Sequence, residues 1–95
     1  MKTKAFDEAD FLKTDNDIAA YITEALATGD AALITHALGV IARTRGMTRI
    51  ARETGLSRES LYRALSADGN PEFLTVLKIM EALGLRLTAE RLAAE

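Results

Sequence analysis

The stretch 47-MTRIARETGLSRESLYRALS-66 decides the fold. It reads as two short helices joined by a tight turn, a helix-turn-helix. Ile50, Ala51 and Thr54 fall on the inner face of the first helix, and Ala51 is small where two helices must cross closely. Gly55 ends that helix at the left-handed conformation that glycine adopts at little steric cost. Leu56 plugs the corner, and Ser57 can cap the next helix by accepting from the Ser60 amide. Leu61 and Leu65, four apart, face inward. That leaves Arg58, Glu59, Tyr62 and Arg63 facing outward near the start of the second helix, the part of a recognition helix that meets base edges in the major groove of DNA. Arginine can bond guanine through two parallel hydrogen bonds, worth roughly 1–3 kcal/mol of discrimination.

Charge agrees with that placement although the whole chain is slightly acidic, at −2. Residues 1–34 carry three lysines against seven carboxylates. Residues 35–65 carry six arginines (Arg43, Arg45, Arg49, Arg52, Arg58 and Arg63) against Glu53 and Glu59. Residues 66–95 carry three basic and five acidic groups. The basic block thus coincides with the two-helix unit, the electrostatic footprint of a nucleic-acid reader. The acidic first third is suited to a basic partner protein.

Outward from the centre, helical periodicity predicts a helix over 16–28, capped by Asp15 or Asn16, with Ile18, Ala19, Ile22, Ala25 and Leu26 inside. Gly29 stops it and Asp30 caps a second helix over 31–45, whose inner residues are Leu33, Ile34, Ala37, Leu38 and Ile41 and whose stop is Gly46. Beyond the turn 67–69, Asn70 and Pro71 predict a cap and first position for a last helix. Its stripe is Phe73, Val76, Leu77, Met80 and Leu83, and Gly84 ends it. Residues 85–89 alternate apolar and polar, which suggests a short strand. The fold expected is all-α: a compact bundle of about five helices, lambda-repressor-like, with the helix-turn-helix central and a possible short C-terminal strand. Residues 1–14 are expected to be an arm, 15–89 the DNA-binding domain and 90–95 a tail. One readable helix seldom binds tightly alone, so a homodimer is expected. Leu85 and Leu87 are candidates for its contacts by strand pairing, or else cover their own core.

Other chemistries find little support. There is no cysteine for disulfides or thiolate metal sites, and no apolar run approaches the ~20 residues of a membrane span. The first residues lack the apolar segment of a secretory signal, so a cytoplasmic location is expected. His36 is the single histidine, mid-helix among Ile34, Ala37 and Leu38, and reads as a surface or core-edge residue. The run 15–17 lacks the glycine and later glutamate of a calcium loop. Neither a nucleophile–base set nor a glycine-rich phosphate loop is present, so no enzyme, cofactor or metal is expected. Tyr21 reads as a helix-surface residue. Tyr62 suits either a phosphate contact or plain packing.

The run GMTRIARETGLSRESLYRALS followed by GNPEFLTVLKIMEALGLRL resembles the addiction-module antidote family, HigA-like antitoxins of the lambda-repressor-like helix-turn-helix group. DNDIAAYITEALATGD and HALGVIARTRG are similar to it as well, so the resemblance covers roughly residues 6–88. It implies a bacterial, cytoplasmic, dimeric antitoxin that masks a small basic toxin of the RelE/ParE-like superfamily and represses its own operon by binding double-stranded DNA at the operator. Carried over, the recognition-helix roles fall on Ser57, Arg58, Glu59, Ser60, Tyr62 and Arg63, and the phosphate-contacting end on Thr48 and Arg49. No motif places the toxin contacts. A stand-alone repressor without a toxin fits the same residues, and a helical protein-interaction adaptor is a third reading.

Overall fold

The structure, a computed structural model, describes residues 12–93. Five α-helices follow one another: α1 (Asp15–Ala27), α2 (Ala31–Arg45), α3 (Met47–Thr54), α4 (Arg58–Ala64) and α5 (Phe73–Ala82). No strand occurs among the described residues. The expected all-α bundle of five helices is the fold observed. None of these helices is long and apolar enough to cross a membrane.

Local chemistry sets most of the boundaries. Thr14, not Asp15 or Asn16, caps α1. Its hydroxyl accepts from the Asp17 amide at 3.0 Å while the Asp17 carboxylate accepts from the Thr14 amide at 3.1 Å, a reciprocal box that satisfies two otherwise orphaned donors. The side chain three positions into the helix decides the cap, and Asp17 is the one that reaches back. Leu12, just before it, is buried in the core, so the folded unit begins ahead of residue 15. Most of the expected arm, residues 1–11, lies outside the described residues, as do the last two of the tail. Asp30 caps α2 as expected, accepting from the amides of Ala32 and Leu33.

The helices share one core. Ile18 and Ile22 of α1, Ala37, Leu38 and Ile41 of α2, Ile50 and Ala51 of α3, Leu61 of α4 and Ile79, Met80 and Leu83 from α5 and its end are all buried. α1 pairs with α2, and α3 touches α2, α4 and α5. Ala19 and Ala25 are half-buried, while Leu26 and Leu33, expected inside, are exposed.

The last third departs from expectation in three places. Asn70 and Pro71 do not open α5; the helix begins at Phe73 behind Glu72, which makes no side-chain cap bond. Just before them the chain returns close to α4: a β-carbon added to Gly69 would lie 2.2 Å from the Ala64 carbonyl oxygen, so the backbone there is pressed against the end of α4. Phe73 and Leu77, expected to face the core, are exposed, and Ile79 is buried in their place. The expected strand is absent as well. After Gly84, at φ +76°, the Leu85 amide turns back to the Met80 carbonyl at 2.8 Å. The irregular segment lies along its own helices, and Leu85 and Leu87 are half-buried against the core, not offered as a free strand edge.

Two glycines can therefore be ranked. Gly55 sits at φ +78° with open space around it, so alanine there should cost about 1–2 kcal/mol through backbone strain alone. Gly69→Ala meets backbone atoms that cannot step aside and should cost more, roughly 3 kcal/mol. Thermal melts of the two variants check the order; equal or reversed losses would contradict it.

Candidate nucleic-acid interface

The candidate surface is built on α3, the turn 55–57 and α4. α3 is eight residues long and buries Met47, Ile50, Ala51 and Thr54, which leaves Thr48, Arg49, Arg52 and Glu53 exposed. Gly55 ends it in the left-handed conformation, its amide donating to the Ala51 carbonyl at 3.0 Å. The Leu56 amide donates to the same carbonyl at 3.2 Å. Thr54 ties the corner: its hydroxyl donates to the Ala51 carbonyl and accepts from the Leu56 amide at 3.3 Å. Leu56 is half-buried against the core. The sequence pointed to Thr54 only as an inward residue, yet its hydroxyl helps to hold the turn.

Ser57 then caps α4. Its Oγ accepts from the Ser60 amide at 3.0 Å, so this hydroxyl is committed to the helix start. Leu61 and Leu65 are buried, which turns Arg58, Glu59, Tyr62 and Arg63 to solvent. Ser60 is half-buried between the two faces. Six of the residues singled out from sequence, Ser57 to Ser60 with Tyr62 and Arg63, thus share one short capped helix. Thr48 and Arg49 stand at the start of the helix before it.

Electrostatics sort the arginines. Arg45 is engaged by Asp15 across the α1–α2 hairpin, and Arg49 Nε donates to Glu53 one turn on at 3.2 Å. Two of the six arginines in the basic block are therefore partly neutralised within the chain. Among the described residues Arg52 and Arg63 have no carboxylate partner. Arg58 has an aromatic one. Its guanidinium carbon lies 5.6 Å from the Tyr62 ring centroid, and Nη2 donates to the phenolic oxygen at 3.3 Å. A cation over a ring face is held without being discharged, so Tyr62 steers Arg58 and leaves its positive charge available. Spacing by four on a helix brings the pair together. Arg43 sits at the far end of α2, where Gly39 leaves room both for its guanidinium and for the Leu65 carbonyl at the end of α4, each 3.3 Å from where a β-carbon would stand. His36 and Tyr21 lie elsewhere, on α2 and α1. No group of three or more His, Asp or Glu among the described residues is placed to hold a metal ion.

Comparison with known proteins gives the class. The family described as "Probable addiction module antidote protein" matches residues 2–91. An uncharacterized protein of Haemophilus influenzae is 48% identical over 88 residues, covering 93% of this chain and 91% of its own length. No solved structure matches. The chain belongs to the addiction module antidote family.

The Arg58–Tyr62 contact has a spectroscopic signature. The Arg58 side-chain protons should show upfield ring-current shifts that persist in Tyr62→Phe and vanish in Tyr62→Ala. Melting of the exposed Tyr62→Ala variant should move by no more than ~0.5 kcal/mol. NMR of the three proteins checks this, and Arg58 shifts unchanged by the alanine would refute the stacking.

Proposed function

We propose that the protein is the antidote of a toxin–antidote pair and that it represses its own operon by setting α4 into the major groove of operator DNA. Membership of the antidote family supports the first half. The observation that carries the second is the solvent-facing Arg58, Tyr62 and Arg63 of α4, on a helix oriented by the Gly55 turn and the Ser57 cap. Arg58 and Arg63 are the base-reading candidates, with Glu59 able to accept from a cytosine amine. Thr48, Arg49 and Arg52 would meet phosphate, where Arg49 must exchange Glu53 for the DNA backbone. Ser57 and Ser60 act by building the helix start, and Tyr62 by holding Arg58.

The toxin half predicts a small basic partner. The described part of the first third carries Asp17, Glu24 and Asp30 against Lys13, with Asp15 already paired to Arg45, and so keeps a net negative surface suited to positive charge. Such a toxin would dock away from α4, so that masking it and reading DNA need not compete. Expression of the tagged protein with its neighbouring reading frames should yield a small basic protein in stoichiometric amount. A chain that always emerges alone would leave a stand-alone repressor as the better account.

The DNA half is tested by fluorescence anisotropy on the protein's own upstream DNA. Arg58→Ala and Arg63→Ala should each lower affinity by a factor of about 10–100 with helicity unchanged. The wild-type affinity should fall steeply with salt. Binding that is indifferent to both arginines would exclude α4 as the reader.

A further inference from the structure

The four exposed side chains of α4 differ in what they can recognise on a base pair. Each residue of a helix turns by about 100° and advances by about 1.5 Å. Arg58, Tyr62, Glu59 and Arg63 therefore fan out in that order over an arc of about 140°, on the side away from the buried Leu61. Tyr62 and Glu59 stand in the middle of the fan. The two arginines form its edges, about 7.5 Å apart along the axis.

None of the three charged groups is used up within the chain. Glu59 and Arg63 are one turn apart, in the order that favours an ion pair on a helix, yet no salt bridge among the described residues joins them. Arg58 turns onto the Tyr62 ring, whose hydroxyl takes one of its five N–H groups, so a pair of parallel donors remains. Guanine is the base that presents two acceptors side by side in the major groove, and the cytosine amine is the donor that a carboxylate accepts. Adenine sets an amine beside its acceptor and thymine offers a methyl group, so neither matches a guanidinium fork. Arginine, carboxylate and arginine together thus suit G·C pairs.

A helix laid in the major groove turns its two edges toward opposite strands, and successive bases rise by about 3.4 Å. We propose that each half-site of the operator is G·C-rich, with Arg58 and Arg63 each on a guanine. The two guanines lie on opposite strands about two base-pair steps apart, and Glu59 accepts from a cytosine amine on the Arg63 side. The inference rests on α4 as the DNA reader and adds what α4 reads. Tyr62 contributes by holding Arg58 at its edge of the fan.

Selection by the whole chain from a pool of randomised duplexes tests it, followed by anisotropy on duplexes with single base-pair changes. The wild type should enrich a motif with two guanines so placed, and changing either G·C pair to A·T should lower affinity about 10-fold or more. Arg58→Ala should lose the preference at one guanine alone and Arg63→Ala at the other. A lost base contact relaxes one position, whereas a lost phosphate contact weakens all sequences alike. Glu59→Gln should change the preferred base at one position from cytosine to adenine, whose edge suits an amide. An A·T-rich motif, or arginine variants that weaken every sequence equally, would overturn the inference while α4 still meets DNA. No enrichment, with binding indifferent to all three residues, would remove α4 as the reader and this inference with it.

Discussion

Burial of the inner face of α3 is the constraint on which the rest of the structure depends. Eight residues are too few for a helix to persist in water by its own hydrogen bonds, so α3 exists because Met47, Ile50, Ala51 and Thr54 are enclosed. α2, α4 and α5 all lean on it. Ile50 is fully enclosed, and Ala51 is small, in keeping with close approach of neighbouring helices. α4 is shorter still, at seven residues, and keeps its helical form through the Ser57 cap, Leu61 and the turn that Thr54 and Gly55 hold. The candidate DNA-reading surface is thus a by-product of packing: Leu61 and Leu65 go in, so Arg58, Tyr62 and Arg63 go out.

The distribution of charge gives that surface its sign. A chain with net charge −2 has no general attraction for DNA, so any affinity must be local. Arg45 is spent on Asp15 and joins α1 to α2, and Arg49 is shared with Glu53. What remains is a smaller cationic face centred on α4 and Arg52, with Arg58 poised over Tyr62. A limited electrostatic footprint favours selectivity through base contacts over tight nonspecific binding, which is consistent with the proposed action at one operator. Family membership implies a toxin partner, and in the proposed arrangement the acidic groups of α1 and the α1–α2 turn would meet it on a face separate from α4.

Much of this was legible in the sequence wherever a local rule set the outcome. Asp30, Gly46, Gly55 and Ser57 each mark a helix end by side-chain or backbone chemistry that needs no distant partner, and α2, α3 and α4 fall where those residues put them. The outward set on α4 follows from Leu61 and Leu65 in the same way. Legibility failed where a distant contact decided. Asn70 and Pro71 carry the local signs of a helix start, yet α5 begins only at Phe73. Alternation over residues 85–89 reads as a strand, but no strand among the described residues is there to pair with it, and it lies instead along helices. Periodicity showed that α5 is apolar but not which of its apolar residues the core would take. The Arg58–Tyr62 pair was written in its four-residue spacing, although a phosphate contact or plain packing fitted Tyr62 as well until the guanidinium was seen over the ring.

The central claim is that α4 and the start of α3 meet DNA while the acidic helices do not. Amide NMR spectra recorded during titration with a duplex from upstream of the gene test it most directly. The account predicts that the largest shifts map to residues 57–63, with smaller ones at 48–52, and that Asp15–Ala27 stays unmoved. Shifts concentrated on α1, or spread evenly over the chain with residues 57–63 unaffected, would contradict it.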